Sequence, residues 1–158
     1  MPKRIEVYFD GSCKPINPGG YGGAGFLILD GPETIKRSFH IGHGPSISSN
    51  LAEHYAITEA LKCLLEIKLE GERIEVYGDS TLVINQMKGN WGIYRGLYVH
   101  QARESLKYAC KFKNISFEWI SRDMNYEADY LADRAADDRD EYTGNFYPKN
   151  QFVYRPYF

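Results

Sequence analysis

Residues 5–12 read IEVYFDGS and residues 74–81 read IEVYGDST, so the chain spells nearly the same strand twice. Apolar and polar residues alternate in both stretches, which is typical of a β-strand with one buried face. Each stretch carries an aspartate, Asp10 or Asp79, at the same phase of the alternation and before small residues. If the two strands are parallel neighbours, the two carboxylates lie roughly 5 Å apart laterally, at the carboxyl edge of a sheet where ligands bind.

The remainder of the chain predicts a mixed α/β fold with the element order βββαβααβα. The predicted strands are Ile5–Asp10, Phe26–Leu29, Thr34–Ile41, Arg73–Asp79 and Ile115–Ile120, and the predicted helices are Leu51–Ile67, Thr81–Lys88, Tyr98–Phe112 and Glu127–Asp138. Because helices separate the first, fourth and fifth strands, these strands are expected to be parallel. The second and third strands form an antiparallel edge hairpin after a glycine-rich turn at Gly19–Gly25. We therefore expect a five-stranded sheet, a three-strand meander plus two parallel strands, flanked by helices.

The composition predicts one globular domain, which we place at residues 1–140. The chain has 158 residues with 43% hydrophobic and 25% charged side chains, which are globular values. No apolar run approaches the length of a membrane span, and the N-terminus enters a strand pattern directly, so we expect no membrane partner and no signal peptide. Cys13, Cys63 and Cys110 are odd in number and widely spaced, which indicates reduced thiols in a cytoplasmic protein. We also expect the protein to be a monomer.

The charges are distributed unevenly along the chain, although the net charge is only −2. The segment 86–113 has a net charge of +5, and the segment 123–141 has a net charge of −6. Such runs are commonly solvated helix faces. They are also consistent with a basic ridge for phosphates beside an acidic site.

Two helices place further acids near the strand ends. Ile57, Ala60 and Leu64 follow Glu53 at the spacing of one helix face, and Ala132 and Ala136 follow Asp129 in the same way. Those faces should pack on the sheet, so both acids should point toward the ends of the strands. The alternatives are a capping box between Asn50 and Glu53, a turn at Asp10 and surface charge at Asp129. All of these alternatives would have to hold at once to remove the cluster.

Four convergent carboxylates predict a divalent metal site. Like charges in a partly dry site raise one another's pKa or require a cation. Oxygen ligands favour Mg²⁺ or Mn²⁺ over zinc. Two such ions suit in-line attack at phosphorus, since one activates water and the other stabilises the leaving oxygen.

Four stretches of the chain closely resemble ribonuclease H of type 1, in order and with matching spacing from about Ile5 to Ala136. They read FDGSCKPINPGGYGGAGF, SNLAEHYAITEALKCLLE, VYGDS and WISRDMNYEADYLADRAA. The resemblance implies Asp10, Glu53, Asp79 and Asp129 as metal ligands. It also implies a metal-dependent endonuclease that cleaves the RNA strand of RNA–DNA hybrids and leaves 5′-phosphate and 3′-hydroxyl ends.

The same resemblance implies how the hybrid is bound. Uncharged groups at Gly11, Ser12, Cys13, Asn17, Ser49 and Asn50 would face the RNA minor groove, where the 2′-hydroxyls distinguish RNA from DNA. A turn at Asn17 and a helix cap at Asn50 are equally good interpretations of those residues. Trp91 resembles an aromatic residue near the DNA strand, although a core or lid tryptophan fits equally well. The run GGYGG lacks the end of a phosphate-binding loop and more simply allows a tight hairpin.

The chain departs from many members of the family in two places. The loop before Asp129 reads SRDMN and has no histidine, but Arg122 resembles the arginine of an archaeal-like branch. Arginine does not exchange protons at ordinary pH, so its contribution would be electrostatic; the alternative is a surface ion pair with Asp123 or Glu127. Gly89–Gly96 replaces the basic protrusion of some bacterial members. We therefore expect hybrid binding that is weaker and strongly dependent on salt.

Residues 141–158 extend beyond the resemblance as an aromatic tail. Seven of the last seventeen residues are aromatic, which predicts that the tail packs back on the domain. The alternative is that the tail binds a partner, a sliding clamp. The residues that resemble the clamp-binding pattern are Gln151, Tyr154, Tyr157 and Phe158.

Two other functions remain open at the level of sequence. One is another nuclease on the same fold, which would lack the Ser-Ser-Asn residues near Glu53. The other is a hybrid-binding domain without catalytic activity. The complete set of acids argues against the second, because a non-catalytic domain is free to lose them.

Overall fold

A computed structural model describes residues 1–137 and contains a five-stranded mixed sheet with helices on both faces. The strands are β1 (Arg4–Lys14), β2 (Tyr21–Asp30), β3 (Glu33–His43), β4 (Arg73–Gly78) and β5 (Asn114–Trp119), in the spatial order β3-β2-β1-β4-β5. The helices are α1 (Ser49–Glu66), α2 (Thr81–Met87), α3 (Val99–Ala109) and α4 (Tyr126–Asp137), with a 3₁₀ turn at Arg122–Asn125. The predicted element order and strand directions are confirmed.

The repeated sequence forms the centre of the sheet. β1 and β4 are parallel neighbours, and the register pairs Ile5 with Ile74 and Tyr8 with Tyr77. The apolar residues of both strands are buried in one hydrophobic core with residues of α1, which packs on β1. On the opposite face Tyr8 and Tyr77 stack with ring centroids 5.1 Å apart. Identical phasing in adjacent strands therefore brings the two aspartates to one edge.

The predicted turn at Gly19–Gly25 is confirmed only at Gly19 and Gly20, because β2 begins at Tyr21 and Gly22, Gly23 and Gly25 lie within the strand. A Cβ atom on Gly23 would collide with the backbone of Ala132 and Ala136 in α4. A Cβ atom on Gly25 would come within 2.6 Å of Leu131 Cβ. The glycines let α4 lie directly on β2. The register of β1 and β2 also places Gly25 beside Asp10.

The start of α1 also differs from the predicted capping box. Ser48 is the N-cap, and its Oγ accepts a hydrogen bond from the Leu51 backbone N–H at 3.1 Å. Asn50 lies inside the first turn and Glu53 beyond it, so a capping role for Glu53 is excluded. The burial of Ile57, Ala60 and Leu64 confirms the predicted sheet-facing side of the helix.

Helix α4 is held from the edge of the sheet by two buried polar residues of β3. Ser38 Oγ donates to the carbonyl of Leu131 at 2.6 Å, and His40 Nδ1 lies 3.1 Å from the carbonyl of Ala135. Since a carbonyl oxygen only accepts, the His40 Nδ1 atom carries the proton. These bonds set the position of the helix that presents Asp129.

No helix between residues 1 and 137 is long and apolar enough to cross a membrane. The aromatic tail at 141–158, with Gln151, Tyr154, Tyr157 and Phe158, lies outside the described residues. Its packing, its clamp-binding role, the boundary at residue 140 and the monomeric state stay predictions.

Candidate metal centre and nucleic-acid cleft

Three carboxylates from three separate elements meet just beyond the last residues that pair β1 with β4, Tyr8 and Tyr77. The predicted end of the first strand at Asp10 is wrong, because β1 continues along β2 to Lys14. Asp10 belongs to β1, Asp79 directly follows β4, and Glu53 belongs to α1. Each offers one oxygen, and these oxygens all lie within 4.8 Å of one another. Asp10 and Glu53 are only 5% and 7% exposed. Asp79 is half-buried. The donor set is therefore compact, largely buried and made entirely of oxygen, which fits a hard divalent cation.

Gly11 allows α1 to approach β1 closely beside Asp10. A Cβ atom at this position would collide with the backbone nitrogen of Glu53 and with Ala52. The Gly11 backbone N–H donates to Asp10 Oδ1 at 2.9 Å. The glycine thus sets both the spacing of Glu53 from the strand and the orientation of Asp10.

The carboxylates strongly disfavour one another's ionised forms. Burial, followed by the charges of Asp79 and Glu53, raises the pKa of Asp10 to about 9, and a hydrogen bond with Asp129 adds to the effect. Burial and the charge of Asp79 raise the pKa of Glu53 to about 8, although a hydrogen bond with Ser80 opposes the shift. Burial also raises the pKa of Asp79. A divalent cation would reverse the sign of these effects, because it stabilises every ionised carboxylate that it touches.

Asp129 joins the cleft but lies outside the compact trio. Its Oδ1 is 3.3 Å from Arg122 Nη2, and the two side chains are 28% and 75% exposed. The predicted convergence of four acids is thus a trio with oxygens within 4.8 Å of one another, and a fourth, more exposed acid that reaches Asp10 by a hydrogen bond. The expected alternative partners of Arg122 were Asp123 and Glu127, whereas the structure pairs it with Asp129. The Arg122 charge also interacts with Asp10 and Asp79.

Most of the residues predicted to contact the hybrid line one polar cleft of about 380 Å³ beside the carboxylates. The predicted residues in its lining are Gly11, Ser12, Cys13, Asn17 and Ser49. Asn17 Nδ2 donates to Ser49 Oγ at 2.8 Å, and the Ser49 backbone N–H donates to Asn17 Oδ1 at 3.0 Å. This reciprocal pair joins the β1–β2 loop to α1 and fixes one wall of the cleft.

Asn50 and Trp91 are not among the residues that line the cleft. Asn50 is half-buried in the first turn of α1. Trp91 is 47% exposed, so a core tryptophan is excluded. Any contact that these two residues make with a nucleic acid would have to lie beyond the cleft.

The reverse transcriptase-like family matches residues 8–135 of the chain. The chain belongs to this family. Among curated relatives, it is 33% identical to the uncharacterized protein YpeP of Bacillus subtilis, over 83% of this chain and 58% of that protein. It is 30% identical to ribonuclease HI of Halobacterium salinarum, over 85% of this chain and 65% of that protein. The chain therefore spans about three fifths of the length of these relatives.

Solved structures show that the family member has the ribonuclease H fold. The N-terminal RNase H domain of Rv2228c from Mycobacterium tuberculosis superposes with a TM-score of 0.77 at 25% identity, covering 88% of this chain and 97% of that one. LC11-RNase H1, solved in complex with an RNA/DNA hybrid, gives a TM-score of 0.74 at 30% identity over 84% and 96% of the two chains. The resemblance to ribonuclease H is confirmed, whereas the archaeal-like branch stays a prediction.

Three further polar residues of the site were missed at the level of sequence. Ser80 caps α2 and forms a hydrogen bond with Glu53. Asp133 accepts a hydrogen bond from Ser12 Oγ at 2.7 Å. The buried Asn125 side chain donates to the Phe9 carbonyl at 2.9 Å and to Asp79 Oδ2 at 3.5 Å. Ser80 directly follows Asp79, and Asp133 lies one helical turn after Asp129, so both had a spacing signal. Asn125 had none, because it acts through a 3₁₀ turn and a backbone carbonyl.

Proposed function

We propose that this protein is a metal-dependent endoribonuclease that hydrolyses the RNA strand of RNA–DNA hybrids. The observation that carries the proposal is the trio of carboxylate oxygens within 4.8 Å of one another, open to a cleft lined by uncharged hydrogen-bonding groups. Relatives with the name ribonuclease H and a structural neighbour with a bound RNA/DNA hybrid support the same substrate. The products would carry 5′-phosphate and 3′-hydroxyl ends.

The carboxylates would bind the metal cofactor, Mg²⁺ or Mn²⁺, with two ions during catalysis. Asp10, Glu53 and Asp79 would form the principal ligand set, and Asp129 would join from the rim. When bound, divalent ions at such a site acidify water and neutralise charge on the phosphate. Ser80 and Asn125 would hold Glu53 and Asp79 in orientation through the hydrogen bonds described above.

The cleft residues would select RNA by its 2′-hydroxyl groups. The backbone at Gly11, Ser12 and Cys13 and the Asn17–Ser49 pair offer neutral donors and acceptors suited to a minor groove. Asn50 and Trp91 would contact only the part of the hybrid that extends beyond the cleft. Arg122 would stabilise negative charge near the scissile phosphate without exchanging a proton, because its guanidinium stays charged.

Cleavage of an end-labelled RNA–DNA hybrid tests the proposal. We expect cleavage with Mg²⁺ or Mn²⁺, loss of cleavage in EDTA, and a loss of at least about a thousandfold in Asp10→Asn, because that change removes a central ligand. Asp123→Asn is the matched control, since Asp123 is an exposed acid of the neighbouring 3₁₀ turn. Full activity of Asp10→Asn, or cleavage that persists in EDTA, would reject the metal site.

A further inference from the structure

A buried polar network lies where α1, α2 and α3 meet, directly behind Glu53. It comprises His54 and Thr58 of α1, Gln86 of α2, Gln101 and Ser105 of α3, and Tyr98 at the N-cap of α3. Apart from Tyr98, each of these residues is at most 8% exposed. Buried polar groups are costly unless they are hydrogen-bonded, so a network of this size indicates a specific structural role.

The hydrogen bonds of Gln86 fix the orientation of the network. Gln86 Nε2 donates to the Gly92 carbonyl at 3.3 Å and to Tyr98 Oη at 3.2 Å. A carbonyl only accepts, so the amide nitrogen must face Gly92 and Oε1 must face His54. His54 Nε2 lies 3.1 Å from that oxygen and therefore carries the proton. The tautomer of His54 follows, and its Nδ1 can accept from Ser105 Oγ at 3.2 Å.

The connecting segment, residues 88–97, joins α2 to α3 without a helix or strand of its own. It presents Trp91, Tyr94 and Leu97, with exposures of 47%, 85% and 46%, together with Lys88 and Arg95. Turn contacts hold its start, where the N–H groups of Gly89, Asn90 and Trp91 reach the carbonyls of residues 85 and 86. Gln86 is the side chain that reaches its middle, at Gly92.

The network links this segment to the helix that carries Glu53. His54 follows Glu53 directly, so one turn of α1 sends Glu53 toward the carboxylates and His54 toward Gln86. The His54 ring also lies parallel to Tyr98, with centroids 5.9 Å apart and an interplanar angle of 8°. These side-chain contacts, at Gly92 and at Tyr98, connect the segment to α1. They thereby fix how far the segment's aromatic and cationic side chains lie from the carboxylate cluster.

We propose that His54 and Gln86 are positioning residues that hold the connecting segment in the arrangement in which the enzyme binds its hybrid. The proposal rests on the function proposed above. An exposed segment with rings and cations can bind a nucleic-acid strand by stacking and charge, but an unanchored one must be ordered at the moment of binding. Loss of the network should therefore weaken substrate binding and leave the chemistry at the carboxylates unchanged.

The test compares Gln86→Met with Gln101→Met in the full chain. Gln86 contacts the segment, whereas Gln101 belongs to the same buried network and bonds Thr58 Oγ1 at 3.0 Å instead. Both changes should lower the Tm similarly. Only Gln86→Met should speed amide hydrogen exchange at residues 89–97 and raise KM for the hybrid, each by about tenfold, with kcat within about twofold of the wild type.

Equal exchange and equal KM in the two variants would overturn the proposal, and so would a fall in kcat with KM unchanged in Gln86→Met. If Gln86→Met does not fold, Tyr98→Phe applies the same test, because it removes one bond from Gln86 and retains the ring over His54. Hydrogen exchange needs no substrate. A wild-type protein that cleaves no hybrid would therefore refute the proposed function, while exchange would still report separately whether the network holds the segment.

Discussion

At the scale of single residues, the site is a destabilising arrangement in the absence of a cation. Asp10 and Glu53 are almost fully buried within reach of Asp79, and the pKa values of all three are raised. Hydrogen bonds from Gly11, Ser80 and Asn125 favour the ionised forms but do not outweigh burial and mutual repulsion. Such a cluster lowers stability, so its presence indicates a functional role.

Asp10→Asn should stabilise the metal-free protein. The pKa of Asp10 is 3.8 in its ordinary state and about 9 in the folded chain, so between these values unfolding releases a proton and wild-type stability falls as pH rises. The asparagine side chain of Asp10→Asn does not titrate, so it adds no such pH dependence to the stability. The Tm of Asp10→Asn in EDTA should exceed that of the wild type by several degrees at pH 8, and the difference should shrink toward pH 4. Thermal unfolding across this pH range tests the prediction, with Asp123→Asn as the control. A Tm difference between Asp10→Asn and the wild type that does not change with pH would contradict it.

At the scale of elements, the site depends on close contact between backbones. Gly11 brings β1 against α1, and Gly23 brings β2 against α4, since a Cβ atom at either position would collide with the facing helix. Ser38 and His40 then fix α4 by hydrogen bonds to its carbonyls. These contacts place Glu53 and Asp129 beside Asp10 in the cleft.

Gly23→Ala should lower both stability and activity, because the added methyl would push α4 and Asp129 away from the sheet. We expect a loss of about 3 kcal/mol in the free energy of unfolding, as for overpacking against rigid backbone. Gly71→Ala is the matched control, since a Cβ atom there meets open space. Denaturant unfolding measures both variants, and a Gly23→Ala protein as stable as Gly71→Ala would show that the contact is not tight.

The sequence predicted those elements whose residues follow a period. Alternation placed Asp10 and Asp79 in phase, and helical spacing placed Glu53 and Asp129 on faces that are buried as expected. The glycines of β2 were misassigned to a turn, because a strand covered by a close helix needs small residues that also favour turns. Asn125 and the Asn17–Ser49 pair depend on contacts between distant segments, which no local pattern encodes.

At the scale of the whole molecule, the sheet gathers residues more than one hundred positions apart into one cleft. The hydrogen bond from Ser12 to Asp133 and the bond from Asn125 to Phe9 both close loops of this length. The topology β3-β2-β1-β4-β5 places β1 at the centre, so the strand that carries Asp10 contacts α1 on one face and α4 on the other. The fold thus brings the carboxylates together, and a bound cation would supply the positive charge that offsets their repulsion.

The most direct test of this account is the binding of Mn²⁺ to the full chain, measured by titration calorimetry without nucleic acid. We predict saturable binding that strengthens between pH 6 and pH 8.5, because Asp10 and Glu53 must lose protons to bind the ion. Glu53→Gln should weaken binding at least about tenfold, whereas Glu127→Gln, which removes an acid paired with Lys36, should leave it unchanged. Absence of binding, or equal affinity in Glu53→Gln and the wild type, would contradict the central claim that these carboxylates form a metal site.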